Sequence, residues 1–158
     1  MNKIYTLSSA LTLNATGQKV DAVASPARPG DLSESRHDFV FNFFALRKKY
    51  TVYKLQVAGK SGIQGLVAFT PTQGALECAN MEVCASNKRG KPAYQGVGKA
   101  MVALCCKVSA DNGLDGCIYF DAKNRLIPYY QRLGATHLFG LRMIIETTNA
   151  MKLIDLYF

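Results

Sequence analysis

Residues 95–109 read QGVGKAMVALCCKVS. Within them Val97, Ala100, Met101, Leu104, Cys105 and Val108 recur at helical spacing, which puts apolar side chains on one stripe of an α-helix and lays that stripe on a sheet. Gly96 and Gly98 open the helix. A glycine loop feeding a helix start leaves the first-turn amides without intrahelical acceptors. With no Cβ in the way an anion can reach them, and the positive end of the helix dipole favours a phosphate there. Gln95, Gly96, Val97, Gly98, Lys99 and Ala100 are therefore the candidate phosphate cradle, with Lys88, Arg89, Lys91 and Lys99 clustered around it.

Upstream of this segment the pattern is that of strands. Tyr53, Leu55 and Val57 alternate with Lys54 and Gln56, a turn spans Ala58 to Gly62, and Ile63 to Phe69 returns as the second arm of an antiparallel hairpin. A third strand runs from Ala75 to about Cys84 and carries Glu77 and Glu82, which simple alternation sends to opposite faces, so that only one of them faces a cleft. Ahead of the hairpin, Asp31 and Glu34 are spaced as a capping box, and Phe39, Phe43, Leu46 and Tyr50 predict a helix near 33–49 ending in Arg47, Lys48 and Lys49. Residues 1–30 are weakly patterned: Ile4 to Leu13 is a possible strand, Ser25 to Gly30 with Pro26 and Pro29 is a loop, and neither is assigned a function.

Downstream, Gly113 is placed to end the long helix, and Cys117 to Phe120 is a continuous apolar run suited to a buried strand. Asn124 to Leu133 predicts a shorter helix, with Pro128 tolerable near its first turn and Gly134 stopping it. Short strands follow near Ala135 to Leu138 and Met143 to Ile145, and a last amphipathic helix has Ala150, Leu153, Ile154 and Tyr157 on one face. The order of elements is α+β, with no internal repeat.

Gln95, Gly98 and Ala100 fit the Q/RxxGxG/A loop of the GNAT superfamily of N-acetyltransferases, and Pro92 and Tyr94 are similar to that family's approach to the loop. A later segment, Asn124 through Tyr129, Tyr130 and Gly134, resembles the family's helix that ends in aromatics and glycine. The resemblance spans roughly residues 50–145. Within the superfamily the chain looks like a small bacterial subgroup. The resemblance implies a GNAT-like fold over 1–158 as one domain, with a mixed, largely antiparallel sheet of about six to seven strands flanked by helices on both faces. It implies acetyl-CoA as co-substrate, its pyrophosphate on Gln95 to Ala100 and its pantetheine along Val83, Cys84 and Ala85 where two strands splay apart. It also implies Tyr130 as general acid to the departing thiolate, Glu82 as base, and an amide near Val83 polarising the thioester carbonyl. Asn124 either touches the cofactor or caps its helix. The stretch between Glu82 and Gln95 is longer than in most members and resembles the histone-acetyltransferase-like branches, while Pro128 bends the segment that positions Tyr130.

Composition bounds the alternatives. With 158 residues, 49% of them apolar, the chain can bury a core of ordinary domain size. Nineteen Lys and Arg against eleven Asp and Glu give +8, which favours anionic partners: CoA phosphates, nucleic acid or an acidic surface. The five cysteines form no CxxC pair, which points away from zinc and disulfides and toward a reducing cytoplasm, and His37 and His137 have no partners at metal-ligand spacing. No run is long enough to span a bilayer, and Ile4 to Leu13, broken by Thr6, Ser8, Ser9 and Thr12, does not read as a secretion signal. Two functions from different classes follow. One is an N-acetyltransferase acting by direct attack of a primary amine, on a small molecule or a peptide or protein, as a monomer or homodimer. The other is a non-catalytic module on the same fold that binds CoA, nucleic acid or protein. For nucleic acid, no aromatic platform accompanies Lys88 to Lys91 beyond Tyr94.

Overall fold

The computed structural model describes residues 2–88 and 90–158, so Arg89 of the basic cluster lies outside the described residues. Two strands come first, β1 (Tyr5–Leu13) and β2 (Lys19–Pro26), then two short helices, α1 (Pro29–Glu34) and α2 (Phe43–Leu46), the second reached through a 3₁₀ turn at Arg36–Asp38. Strands β3 (Thr51–Val57), β4 (Ile63–Pro71) and β5 (Leu76–Val83) follow as an antiparallel meander. A two-residue strand, β6 (Tyr94–Gln95), leads into α3 (Val97–Asp111). The chain continues through β7 (Ile118–Asp121), α4 (Ile127–Arg132), β8 (Thr136–Phe139), β9 (Arg142–Ile145) and α5 (Thr147–Tyr157).

Among the described residues nine strands form one sheet in the order β6-β1-β2-β3-β4-β5-β7-β9-β8, antiparallel everywhere except where β5 meets β7. Helices α3 and α5 cover one face, over a core that includes Leu7, Leu55, Phe69, Leu76, Ile118 and Met143. On the other face α1 and α2 contribute Leu32 and Phe43 to a smaller core with Phe39, Val52, Leu66 and Ala68. The predicted stripe of α3 is buried throughout, and Val102, Ala103 and Cys106 on its other sides are fully buried as well, because α5 lies against it with Ala150, Leu153 and Ile154. Burying each of the larger side chains contributes about 1.5–3 kcal/mol, which makes α3 the mechanical centre of that layer. No helix among the described residues is long and apolar enough to cross a membrane.

The α+β class, the largely antiparallel mixed sheet and the helices on both faces agree with the sequence reading, and four particulars differ. The sheet has nine strands where six to seven are expected. The additions are β2, which is buried through the small side chains of Ala22 and Ala24, and β6, only two residues long. The helix expected near 33–49 is replaced by α1, the 3₁₀ turn and α2, because the backbone at Phe39 is extended and the amides of Val40 and Phe41 are bound by the Glu82 carboxylate. Asp31 is the third helical residue of α1, accepting from the Arg28 amide at 2.8 Å, so the box begins at Arg28. Finally, Glu77 and Glu82 share a face. The β4–β5 register passes from Phe69↔Cys78 to Ala68↔Asn80, and the extra residue, Ala79, resets the alternation.

The start of α3 at Gly96 and the end of α4 at Gly134 both use glycine in the left-handed region. At the end of α4 the Gly134 amide bonds to the Gln131 carbonyl at 3.0 Å and the Ala135 amide to that of Tyr130 at 3.0 Å, a Schellman closure with Gly134 at φ +106°. A Cβ at 134 would lie 2.9 Å from the Asn149 Cβ, on the same α5 residue whose amide group donates to the Gly134 carbonyl. Gly134→Ala is therefore expected to destabilise the fold by about 2 kcal/mol, from backbone strain and overlap together. Urea unfolding should show a lower midpoint at unchanged slope. An unchanged midpoint would contradict this account of the α4–α5 junction.

Candidate active site

The start of α3 is built as the sequence motif requires, but its two glycines serve different neighbours. Strand β6 pairs with Thr12 and Leu13 of β1, and the Gln95 amide group donates to the Asn14 side chain at 2.8 Å, so the loop is moored to the sheet edge. Gly96 caps α3 at φ +90°, and a Cβ there would lie 3.0 Å from the Ala10 carbonyl oxygen. Gly98 faces the other way: its added Cβ would sit 3.2 Å from the Tyr129 hydroxyl. No side chain caps the helix, and the first intrahelical bond runs from Ala100 to the Gly96 carbonyl. The amides of Val97, Gly98 and Lys99 therefore precede the ladder and are the donors an anion would use.

The sheet opens into a slot beyond the start of β7. β5 and β7 pair in parallel only at Leu76↔Ile118 and Glu77↔Tyr119. Beyond that β7 stays with β9, while β5 keeps β4 alone. The Cys84 amide bonds to the Gln64 carbonyl at 2.9 Å on the β4 side, so the groups of Val83, one residue back, turn toward the gap, and those of Met81 with them. Of the three residues expected along pantetheine, Val83 thus presents an open edge, Cys84 has its amide committed to β4, and Ala85 opens a 3₁₀ turn at Ala85–Asn87. Met81 was missed by sequence reasoning, although the period of two from Val83 points to it. The long stretch before Gln95 closes on itself: the Ala93 amide bonds to the Ser86 carbonyl at 3.2 Å, and the Tyr94 amide to the Asn87 side chain at 2.9 Å.

Tyr130 sits beside this slot on α4. Its ring packs edge-on against Phe120 at 4.8 Å and Tyr129 at 5.1 Å between centroids. Burial pushes its phenol up to about 12, with Tyr129, Cys78 and Cys105 adding to the effect, so it holds its proton through the neutral range. Pro128 is the second residue of α4, where no backbone N–H is required, so the helix is regular around Tyr130 instead of bent. Asn124 is exposed in the 3₁₀ turn Asn124–Leu126, which makes no side-chain cap hydrogen bond.

The Glu82 carboxylate is buried and fully engaged. It accepts from the amides of Val40 at 2.8 Å and Phe41 at 2.9 Å, and it forms an ion pair with Lys88. Burial pushes its carboxyl up, but the Lys88 ammonium and the two amides outweigh that and hold it below the usual carboxylate value. A base working near neutrality needs the opposite shift and a free lone pair. Lys88 is by the same contact withdrawn from the expected phosphate cluster. Among the described residues no group of three or more His, Cys, Asp or Glu side chains could hold a metal ion, and all five cysteines are free thiols.

Neither a protein-family model nor a curated protein sequence matches the chain. Solved structures match its fold. The ribosomal-protein-S18-alanine N-acetyltransferase from Escherichia coli superposes with a TM-score of 0.56 at 17% identity, over 78% of this chain and 90% of that one. An IAA acetyltransferase from Bacillus cereus gives 0.58 at 13% identity, over 79% and 99%. A Bacillus subtilis acetyltransferase in complex with CoA gives 0.56 at 14% identity, over 81% and 99%. The chain has the fold of the GNAT acetyltransferases, as its two motifs imply.

The Glu82 clamp has a pH signature. A carboxyl held below its ordinary value of 4.5 stabilises the fold above that value, and the contribution disappears as the pH falls through the lower folded value. Asp31 and Asp111 are shifted in the same direction and shape the rest of the acid limb. Glu82→Gln is expected to cost about 1–3 kcal/mol at pH 7, with the deficit shrinking as the pH falls below 4.5 and gone once the pH is below the lower folded value, where Glu82 is protonated too. Denaturant midpoints against pH would check this, and a deficit that stays constant into acid would refute the charged clamp.

Proposed function

We propose that this chain is an acetyl-CoA-dependent N-acetyltransferase that moves the acetyl group by direct attack of a primary amine. The observation that carries the reading is the presence of three features in one fold. An uncapped helix start lies at Gly96 to Lys99, β5 presents an open backbone edge at Met81 and Val83, and a buried phenol stands at Tyr130. The fit to the co-substrate rests on the same features: the amides of Val97, Gly98 and Lys99 have no intrahelical acceptor, and the open edge offers the alternating donors and acceptors that an amide-bearing pantetheine arm would pair with.

Bound acetyl-CoA supplies an acetyl group activated as a thioester. The chain's residues do the rest. The first-turn amides of α3, with Lys99, hold the pyrophosphate. The Val83 amide, turned into the gap, polarises the acetyl carbonyl as charge develops on its oxygen. Tyr130 retains its proton at neutral pH and delivers it to the departing sulfur. Glu82, placed first as a base, is better suited to position the Val40–Phe41 segment beside the slot, and the amine loses its proton to water. The acceptor is an amine on a small molecule or on a peptide or protein. Acetyl-CoA binding without turnover over a broad amine panel would favour the non-catalytic alternative.

Mass spectrometry of CoA retained by purified protein tests the co-substrate without a guess at the acceptor. For the chemistry, Tyr130→Phe is expected to lower kcat by about 10²-fold while leaving acetyl-CoA affinity unchanged. Free-thiol release with a responsive amine would measure it, and an unaltered kcat would remove Tyr130 from the acid role.

A further inference from the structure

The register of the sheet sorts its charges by strand end. The end of β1 lies beside the start of β2 at Thr12↔Lys19, the end of β3 beside the start of β4 at Gln56↔Ile63, and Val83 at the end of β5 pairs with Gly65. β7 runs parallel to β5, and Asp121 at its end meets Arg142 at the start of β9. These strand ends share one side of the molecule. Five cations lie on it: Lys19 at the start of β2, Lys60 in the turn between β3 and β4, Lys91 in the loop after β5, and Lys123 and Arg125 just after β7. All five are exposed, and none forms an ion pair among the described residues. The strands bring three carboxylates to the same side, and each is engaged. Asp21 accepts the Ser9 amide at 2.8 Å, Asp121 pairs with Arg142 at 2.7 Å, and Glu82 is held by Lys88 and two amides. Five uncompensated cations against Asp21, the one of these carboxylates without a cationic partner, leave the face strongly positive.

The face is wider than one small anion. β2 and β7 are four strand spacings apart in the sheet, roughly 19 Å at the ordinary interstrand distance, so a single diphosphate does not occupy both flanks. Aromatic rings stand among the charges. Phe139 ends β8 opposite Arg142 and is 69% exposed, and Phe41, tied by its amide to Glu82 near the end of β5, is 37% exposed. Tyr94 lines a groove of about 430 Å³ together with Lys19, Lys60 and Asp21. The sequence offers only Tyr94 beside a basic loop, and the fold adds two rings from elements distant in the chain. Cations spread over such a width, with rings on three different elements between and beside them, suit a flexible polyanion that carries its own flat groups, because phosphates meet lysines while bases stack.

We propose that this strand-end face binds single-stranded nucleic acid, with its phosphates on Lys19, Lys60, Lys91, Lys123 and Arg125 and its bases on Phe41, Tyr94 and Phe139. The amides of Val97, Gly98 and Lys99 take no part in it. The inference therefore stands apart from the acetyl-CoA reading and holds for an enzyme and for a binding module alike.

The test is fluorescence anisotropy of the full chain with a labelled single-stranded RNA of about twelve nucleotides. Binding is expected at low salt, with log K falling linearly against log salt. The double variant Lys60→Ala/Lys123→Ala should make that slope shallower by about 1.4, from roughly 0.7 per phosphate contact, and Lys152→Ala on α5 should leave it unchanged. Phe139→Ala should weaken RNA about tenfold without altering the salt slope, the signature of a lost stacking contact. Polyglutamate of the same length should bind more weakly than RNA and be indifferent to Phe139→Ala, and saturating acetyl-CoA should not displace the RNA. No binding at about 50 mM salt overturns the proposal, as does an unaltered slope in the double variant. Polyglutamate binding as tightly as RNA overturns it in favour of an acidic protein, and displacement by acetyl-CoA overturns it by placing the RNA on the start of α3.

Discussion

A strand inside a sheet has hydrogen-bonding groups on both edges, and those on the β7 side of β5 lose their strand partner after Glu77. That single constraint organises the site. The parallel pairing to β7 ends after two residue pairs, while the antiparallel ladder to β4 continues through Val83, so β5 is held firmly on one side and open on the other. The bulge at Ala79 lies where the parting begins, and an extra residue on one strand bends it and tightens its twist. An open interior edge is costly unless something completes it, and a ligand with alternating amide groups is the natural complement.

The bulge has a second effect. By resetting alternation it brings Glu82 to the face of α1 and α2, where Leu66 is its cross-strand partner and the 39–43 segment passes overhead. A buried carboxylate there must be compensated, and two backbone amides with one ammonium do so. The outcome is a charged knot that fixes a non-helical segment against the end of β5. Three observations about this region, the missing long helix, the lowered carboxyl and the diversion of Lys88, thus have one cause.

The sequence made the long helix legible because Val97 to Val108 has a period that only a helix buries, and it made the uncapped start of that helix legible because Gly96 and Gly98 precede that period. Tyr130 is singled out only by the resemblance of Asn124 to Gly134 to a family segment, and its place on α4 against Phe120 is a fact of the fold. What stayed hidden depended on contacts distant in the chain. Ala22 and Ala24 are too small to announce a buried strand, yet they are fully buried under their neighbours. Phe39 and Phe43 are spaced like helical neighbours, but they reach the same small core from an extended backbone and a separate short helix. A bulge leaves no trace in composition, so Glu77 and Glu82 were sent to opposite faces by a rule that holds only for an unbroken strand.

The two glycines of the cradle also differ in a way that a motif cannot express. Gly96 is fixed by its own positive φ and by the Ala10 carbonyl of β1, far earlier in the chain, while Gly98 is fixed by the hydroxyl of a tyrosine on α4. One glycine therefore registers α3 against β1, and the other registers it against the helix that carries Tyr130. Displacing α3 along its axis would break both contacts at once, so the start of α3 and the helix that carries Tyr130 are held in fixed relation by close packing. That is why a short glycine pattern can fix the relation between elements far apart in sequence.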